Sequence, residues 1–289
     1  MSEGRLGLRR ERPHPVYHER KQVGGQTAEA PPTAFMGFPI SFQKKRRIVL
    51  IIGETDSGKT LFLRLLVYCN RTAFNQVIVF SETAKYESPL RFTDSIISTY
   101  KPELLETIVS IQEKRLEMIG GDRPVDEMVT NPVPHILLVF DDLDIDYSQD
   151  AVINNLVTRS RHLYISIVFS VQYYTMVSRR MRYLASYICL RTIRGKGNME
   201  ELYDFLSQFF EDFKSFRAWS IQAMRDYATI VFYLRGDGIW DEDVFQVNHN
   251  PKDIPYFRIG GKQTTRFHTQ SYTNDAARQL ASGVSGVGL

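Results

Sequence analysis

The sequence predicts an α/β domain whose central, mostly parallel sheet is covered by helices on both faces, with a C-terminal β-hairpin addition. Three observations predict this fold. Continuous apolar runs alternate with helical segments between residues 47 and 210, and a glycine-rich motif directly follows the first run. Two further apolar runs flank a Gly-Asp-Gly turn at residues 236–238. Strands that are buried on both faces have continuous apolar sequences of this kind.

Each element has its own signal in the sequence. Five apolar runs are predicted as strands of the sheet, in chain order 47–52, 76–81, 135–142, 165–172 and 187–191. Helices are predicted at residues 59–70, 102–119, 149–162 and 199–210. The second of these helices places Leu105, Ile108 and Ile111 roughly on one face. The last two apolar runs, residues 228–234 and 244–247, are predicted to pair as an antiparallel hairpin.

The glycine-rich motif carries the first chemical signal. Residues 53–60 read Gly-Glu-Thr-Asp-Ser-Gly-Lys-Thr, which is the pattern G-x-x-x-x-G-K-[ST] of a phosphate-binding loop. A strand precedes it and a helix follows it, so loop N–H groups and the helix N-terminus face one anion. The chain is therefore predicted to be a P-loop NTPase that binds ATP. The predicted nucleotide-binding residues are Gly53, Glu54, Thr55, Asp56, Ser57, Gly58, Lys59 and Thr60.

Within this motif, Lys59 is predicted to reach the β- and γ-phosphates, and the Thr60 hydroxyl to hold Mg²⁺. The third strand ends in Asp141 and Asp142. Asp141 is predicted to bind Mg²⁺, and Asp142 to act as the general base that deprotonates the attacking water. Two carboxylates could also simply end a strand and cap the next helix, but the phosphate loop upstream favours the catalytic interpretation. Gln172 ends the fourth strand and is predicted to contact the γ-phosphate or the water.

Length and composition allow one large domain with flexible ends. The chain has 289 residues, is 43% hydrophobic and carries a net charge of +3, so it can bury a full core. Residues 1–40 are predicted to be a flexible basic arm, 41–258 the P-loop ATPase domain, and 259–289 a flexible tail. Cys69 and Cys189 lie in apolar runs, which favours buried thiols over a disulfide. No apolar stretch approaches the length of a membrane span, so no integral membrane segment is expected.

A family resemblance becomes specific at residues 161–172. An arginine, a helix exit, an apolar strand and a terminal glutamine follow one another there, as they do in the FtsK–HerA class of DNA-pumping P-loop ATPases. Together with the loop at 53–60 and the pair Asp141-Asp142, the chain most resembles the poxvirus-type genome-packaging ATPases of large double-stranded DNA viruses. The similarity covers roughly residues 45–195. It implies that the fourth strand lies between the first and the third, which brings Gln172 to the γ-phosphate.

The same resemblance implies an assembly and a task. It implies a homo-oligomeric ring, a hexamer or a pentamer, in which Arg161 completes the catalytic site of the neighbouring subunit. Arg159 is a second candidate for this role. The implied function is an ATP- and Mg²⁺-dependent motor that drives double-stranded DNA into a capsid. Its implied partners are capsid or portal proteins, in the virion or in the host-cell cytoplasm at the assembly site.

Two departures from the family pattern lie in the site itself. The residue after the metal-binding aspartate is often glutamate in the family, and here it is Asp142. Glu54 and Asp56 place acidic side chains inside the phosphate loop, where they must point away from the nucleotide.

Contacts with DNA are left open by the sequence. Sequence-independent, salt-sensitive binding needs Lys or Arg near phosphates. Four basic segments are candidates, namely the cluster at 44–47, the region of Lys85, the loop at 120–134 and the turn at 194–197. Arg179, Arg180 and Arg182 could face a neighbouring subunit or the DNA channel.

Three other functions remain open at this point. One is a related conjugation or secretion ATPase or a helicase, and another is a nucleotide-regulated assembly module that barely hydrolyses ATP. A small-molecule kinase is disfavoured, because the arginine and glutamine that flank the fourth strand have no evident use in it.

Overall fold

Eight strands form one sheet on which the rest of the described chain packs. The computed structural model describes residues 38–259 except 44, 85–87, 94, 121–133, 208–209, 226–227, 235–243 and 249–253. The strands are β1 (Ile48–Ile52), β2 (Gln76–Phe80), β3 (Ile96–Ile97), β4 (Ile136–Asp141), β5 (Ile165–Val171), β6 (Tyr187–Leu190), β7 (Thr229–Tyr233) and β8 (Val244–Val247). The helices are α1 (Lys59–Cys69), α2 (Pro102–Gly120), α3 (Ala151–Arg159), α4 (Arg179–Leu184), α5 (Lys196–Leu206) and α6 (Phe213–Ala223).

The strand order explains how residues far apart in sequence meet. Along the sheet the order is β3-β2-β4-β5-β1-β6-β7-β8. The strands from β3 to β6 run parallel, and β7 and β8 are antiparallel additions. β5 is the fourth predicted strand, and it lies between β1 and β4, the first and third predicted strands. This confirms the order that the resemblance implied. Because these three strands are parallel, their carboxyl ends lie side by side, and ligands of such sheets bind at that edge.

The two faces of the sheet are covered differently. One face packs against apolar residues of α2, α3, α4, α5 and α6. The other packs against α1 and against two extended segments, which include Ile40 and Phe42 before β1 and Ile254 and Phe257 after β8. Asn70, at the end of α1, bonds the first of these segments through the N–H of Phe42 and the carbonyl of Ile40. Both extended segments are therefore part of the packed domain.

The predicted mostly parallel sheet with helices on both faces is confirmed. All residues of β1, β2, β4, β5 and β6 are buried, as their continuous apolar runs predict. The predicted hairpin also forms, with β7 and β8 in antiparallel pairing. Its turn at 236–238 lies outside the described residues, as do most of the arm at 1–40 and the tail beyond residue 259.

Three elements were not predicted. β3 has two residues and α4 has six, which is too short for a periodic signal. α6 begins after Asp212, whose carboxylate accepts a hydrogen bond from the N–H of Ser215, the usual role of an N-cap. Within the described residues both cysteines are free thiols. Cys189 is buried, as expected, whereas Cys69 is only partly buried. Among the described helices, none has the length and apolarity to cross a membrane.

Candidate nucleotide-binding site

The phosphate loop joins β1 to α1 through a tight turn. Gly58 has a φ of 85° and Asp56 a φ of 59°, in the left-handed region that glycine adopts freely and aspartate tolerates. The N–H of Ser57 donates to the carbonyl of Glu54 at 3.2 Å. α1 starts directly at Lys59, so its first N–H groups, which have no partner within the helix, lie beside the loop.

Lys59 links the loop to the end of β4. Its Nζ lies 3.1 Å from the carbonyl oxygen of Glu54 and 3.6 Å from Oδ1 of Asp142. The Lys59 side chain is only 4% exposed, and that of Asp142 is 24% exposed. This ion pair is therefore partly shielded from water, and it joins the two charged residues that the sequence predicts for catalysis.

β5 brings the third predicted group to the same edge. The carbonyl of Val171 accepts a hydrogen bond from the N–H of Gly53, and the carbonyl of Ser170 accepts one from the N–H of Asp142. The end of β5 thus bonds both the phosphate loop and the acidic pair. Gln172 is the next residue and is partly buried. Asp142 itself has a φ of 49°, a conformation that non-glycine residues adopt mainly at turns and functional sites.

The residues predicted to hold Mg²⁺ have suitable donors. Asp141 ends β4 and is fully buried, while Thr60 lies in the first turn of α1 and is partly buried. One hydroxyl and one carboxylate are the hard oxygen donors that Mg²⁺ accepts together with water and substrate phosphates. The donor set fits the ion.

Tyr147 belongs to the same environment, and the sequence did not single it out. Burial raises its pKa, and the negative charges of Asp141 and Asp142 raise it further. The tyrosine therefore keeps its proton beside the two carboxylates. An aromatic residue a few positions after a strand end carries no pattern that would have revealed this placement.

The Glu54 side chain is bonded to the segment before α5. Its Oε1 accepts hydrogen bonds from the N–H of Arg194 at 2.6 Å and from the N–H of Gly195 at 2.9 Å. Gly195 is the residue before α5, where free N–H groups favour an anion. The acidic side chain is thereby used to bond the loop to the 194–197 segment. Asp56 is exposed.

Arg191 is a buried part of the site that the sequence analysis passed over. It follows β6 directly and is 2% exposed. Its Nε donates to the carbonyl of Ser57 at 2.8 Å, and its Nη1 to Oγ1 of Thr229 at 2.7 Å. The available signal was an arginine at the end of an apolar strand.

The two arginines predicted to act on a neighbouring subunit lie at the opposite edge of the sheet. Arg161 is exposed in the turn before β5. β5 is seven residues long, so its ends are about 20 Å apart at roughly 3.3 Å per residue. Arg161 is therefore not part of the catalytic site of its own subunit. Arg159 forms an ion pair with Glu113 of α2.

The basic segments considered for DNA differ in what the structure describes. Lys44, Lys85 and the loop from 121 to 133 lie outside the described residues. Arg46 lies over the ring of Tyr164, with 3.4 Å between its Cζ and the ring centroid, so it is packed rather than projecting into solvent. The segment 194–197, predicted as a turn, is the start of α5, which begins at Lys196. Arg194 and Lys196 are exposed there, and Lys196 Nζ lies 3.6 Å from Oε1 of Glu200.

The α4 arginines are also described. Arg182 lies over the ring of Tyr174 and Arg179 over the ring of Tyr183. Arg180 is exposed.

Comparison with known proteins gives one family match. A family model described as "Poxvirus A32 protein" matches residues 40–225, well over half of the chain. No curated protein matches the chain.

Solved structures give weaker likenesses. The genome packaging NTPase B204 from Sulfolobus turreted icosahedral virus 2, in complex with ATP-gammaS, is 12% identical over 70% of this chain and 97% of that chain, with a TM-score of 0.46. The pCW3 conjugation coupling protein TcpA is 16% identical over 70% of this chain and 59% of that chain, with a TM-score of 0.48. Because both TM-scores are below 0.5, the family match and the geometry of the site are the basis for assigning a function.

Proposed function

We propose that this chain, which belongs to the poxvirus A32 protein family, is an ATPase of the FtsK–HerA class. In this proposal it packages a viral genome as a Mg²⁺-dependent ring that translocates double-stranded DNA. One observation supports the ATPase site above all. The phosphate-loop lysine, Lys59, and the acidic residue after β4, Asp142, lie 3.6 Å apart, although they are 83 positions apart in the sequence. Capsid or portal proteins are the proposed partners, in the virion or at the cytoplasmic assembly site.

The proposed reaction begins with the triphosphate in the loop. N–H groups at the end of the loop and the start of α1, among them those of Gly58, Lys59 and Thr60, bind the phosphate oxygens, and Lys59 turns from Asp142 to the β- and γ-phosphates. This movement removes the cation from Asp142, whose carboxylate then accepts a proton from the attacking water. Gln172, next to the last residue of β5, hydrogen-bonds the water or the γ-phosphate. Thr60 and Asp141 would hold Mg²⁺, and the bound ion would supply positive charge against the phosphates.

The proposed ring supplies the missing positive charge. Arg161 lies at the edge of the sheet opposite to the phosphate loop, so its proposed role requires a second subunit. In that position its guanidinium stabilises the negative charge of the transferring phosphoryl group. Arg159 is less suited to this role, because Glu113 already pairs with it.

The proposed DNA contact is the segment at residues 194–197. Arg194 and Lys196 are exposed there, and backbone N–H groups of the same segment bond to Glu54 of the phosphate loop. A displacement of the loop during hydrolysis would therefore move the segment. Because these cations would contact phosphates only, binding should be independent of sequence and should weaken as salt rises.

The direct test is ATP turnover with and without duplex DNA, in the wild type, in Lys59→Ala and in the control Lys214→Ala, whose exposed side chain lies on α6. We expect DNA to stimulate turnover and Lys59→Ala to abolish it, while Lys214→Ala behaves as the wild type. Intact turnover in Lys59→Ala would show that the site is wrongly placed. Assembly that depends on ATP but proceeds without turnover would favour the assembly-module alternative.

A further inference from the structure

We infer that Arg191 is a positioning residue that fixes the direction of the Gly58 N–H in the phosphate loop. The inference rests on the proposed ATP site and adds a residue to it. Arg191 is not one of the catalytic residues predicted from the sequence. It acts through the peptide bond between Ser57 and Gly58.

The position of Arg191 is fixed at three points. Its backbone N–H donates to the carbonyl of Ile52 at 2.8 Å, which continues the ladder between β6 and β1. Its guanidinium reaches the carbonyl of Ser57 on one side and the hydroxyl of Thr229, the first residue of β7, on the other. Thr229 is fully buried. The side chain thus connects the loop to the antiparallel part of the sheet.

The geometry of the Ser57–Gly58 peptide relates this hydrogen bond to the direction of the Gly58 N–H. The described residues contain no cis peptide bond, and in a trans peptide the C=O and N–H groups point in opposite directions. Since the Ser57 carbonyl points at Arg191, the Gly58 N–H points away from the guanidinium. That direction is the outer side of the loop, where the proposed phosphate lies. Without Arg191, rotation of this peptide would turn a carbonyl oxygen toward the phosphate.

Both glycines of the motif lie against the Arg191 side chain, which leaves no space for a larger residue. A Cβ on Gly53 would lie 2.6 Å from Cβ of Arg191, and a Cβ on Gly58 would lie 2.5 Å from its Nη2. Both contacts are far shorter than carbon and nitrogen atoms tolerate. The loop therefore lies directly on the arginine, and the first and last glycines of the motif allow that approach.

The positive charge of Arg191 also favours phosphate binding. A guanidinium keeps its proton at all relevant pH values, and this one is almost fully buried directly behind the loop. A cation there favours phosphate oxygens on the other side of the loop, and the effect is larger than in water because the surroundings are less polar.

The experiment measures KM for Mg-ATP, kcat and melting temperature in the full chain, for Arg191→Met and Arg191→Lys. Cys189→Ala, also a buried side chain of β6, is the control for a purely structural loss. We expect Arg191→Met to raise KM roughly 10- to 100-fold, the value of one hydrogen bond from a charged group, with a smaller change in kcat. Arg191→Lys should recover part of the affinity. Cys189→Ala should lower the melting temperature and leave KM unchanged.

A KM of Arg191→Met within twofold of the wild type would overturn the inference. If that variant does not fold, Thr229→Val decides, because it removes only the second anchor of the guanidinium and should raise KM several-fold. An unchanged KM in Thr229→Val would then overturn the inference. Lys59→Ala, measured in parallel, separates the two proposals. Loss of turnover in Lys59→Ala with normal Arg191 variants leaves the proposed function standing and removes only the role of Arg191.

Discussion

The parallel strands end at one edge of the sheet, the carboxyl edge, and begin at the opposite one, the amino edge. Both edges carry buried polar groups, but these groups have different roles. At the carboxyl edge, Lys59 and Asp142 form an ion pair beside the phosphate loop. At the amino edge, polar side chains bond to one another and to fixed carbonyl groups. His135 Nε2 lies 2.8 Å from Oγ of Ser166, which also accepts the N–H of Arg47. Gln112 of α2 donates to the carbonyls of Pro134 and Leu163.

The comparison shows what distinguishes a binding site from a structural polar cluster. In the amino-edge cluster, the chain itself supplies the partners of His135 Nε2 and of the amide nitrogen of Gln112. Left-handed residues occur at both edges, Asp56, Gly58 and Asp142 at the carboxyl edge and Tyr164 before β5 at the amino edge. In the described part of the chain, only at the carboxyl edge does a loop with this conformation lead into a helix N-terminus, which presents donors that an anion can use. The direction of the parallel strands determines which edge can bind a ligand, because the loops that follow the strands all lie at the carboxyl edge.

Arg161 gives the largest predicted effect. It is an exception to the contrast between the two edges, because it is a catalytic candidate that lies at the amino edge. Arg161→Ala should lower kcat of the assembled protein by about 10³-fold or more, since an arginine supplied by a neighbour can contribute about 10³–10⁵. ATP binding should be preserved. Steady-state turnover and equilibrium binding of ATP check this prediction. Arg159→Ala is the matched control and should change turnover little, because it breaks only the exposed ion pair with Glu113. Equal loss of binding and turnover in Arg161→Ala would remove the proposed role in trans.

Asp142 tests the carboxyl edge itself. Asp142→Asn keeps the size of the side chain but removes its ability to accept a proton, so kcat should fall about 10²–10⁴-fold. ATP should still bind, because Lys59 and the loop are intact. Single-turnover hydrolysis and binding of an ATP analogue measure the two effects separately. Asp144→Asn, an exposed position nearby, is the control. Turnover in Asp142→Asn equal to that of the wild type would show that another group is the base.

His135 tests the amino edge through pH. Burial, and then the positive charge of Arg46, lower the pKa of His135 from 6.5 to about 4. Between these values the unfolded chain binds a proton at this position and the folded chain does not. Stability from the neutral imidazole is therefore complete above about pH 6.5 and is lost as pH falls toward 4, by about 3 kcal/mol in total. Urea unfolding from pH 4 to 7 measures this slope.

His135→Gln is the matched variant for the pH prediction, because its amide can hydrogen-bond but does not titrate in this range. We expect the variant to have a flatter dependence of stability on pH and normal ATP affinity at pH 7. An unchanged slope would contradict the account of the amino edge.

Glu54 gives the smallest expected effect and refines the description of the carboxyl edge. Glu54→Ala removes the acceptor of the Arg194 and Gly195 N–H groups, while Glu54→Gln keeps an oxygen in place. Basal ATP turnover should change little in either variant. Stimulation by duplex DNA should fall a few-fold in Glu54→Ala and less in Glu54→Gln, because the loop no longer holds the 194–197 segment. Equal DNA stimulation in Glu54→Ala and the wild type would disprove this coupling.

The sequence predicted the parts of the fold and site that depend on local pattern. Continuous apolar runs predicted the buried strands, and the loop motif predicted where β1 ends and α1 begins. The place of β5 between β1 and β4 came from the family resemblance, since periodicity carries no information on strand order. The catalytic and metal roles of Lys59, Thr60, Asp141, Asp142, Gln172 and Arg161 remain predictions, although the structure brings Lys59 and Asp142 together.

Other features depend on contacts between distant segments and were not accessible from the sequence. Arg191 supports the loop across 134 positions, and Glu54 bonds to the segment before α5 across 140. Neither contact leaves a periodic or compositional trace. The short elements β3 and α4 were missed for a related reason, because they form through packing on their neighbours more than through their own sequence.

We propose that ATP is hydrolysed where the carboxyl edge of one subunit meets the amino edge of the next. Mixing two inactive variants, Lys59→Ala and Arg161→Ala, tests it most directly. In a mixed assembly, an Arg161→Ala subunit keeps its phosphate loop and receives Arg161 from a Lys59→Ala neighbour. The account predicts that the mixture regains part of the wild-type ATP turnover, although each variant alone is inactive. A mixture that forms assemblies but stays as inactive as its components would contradict the account.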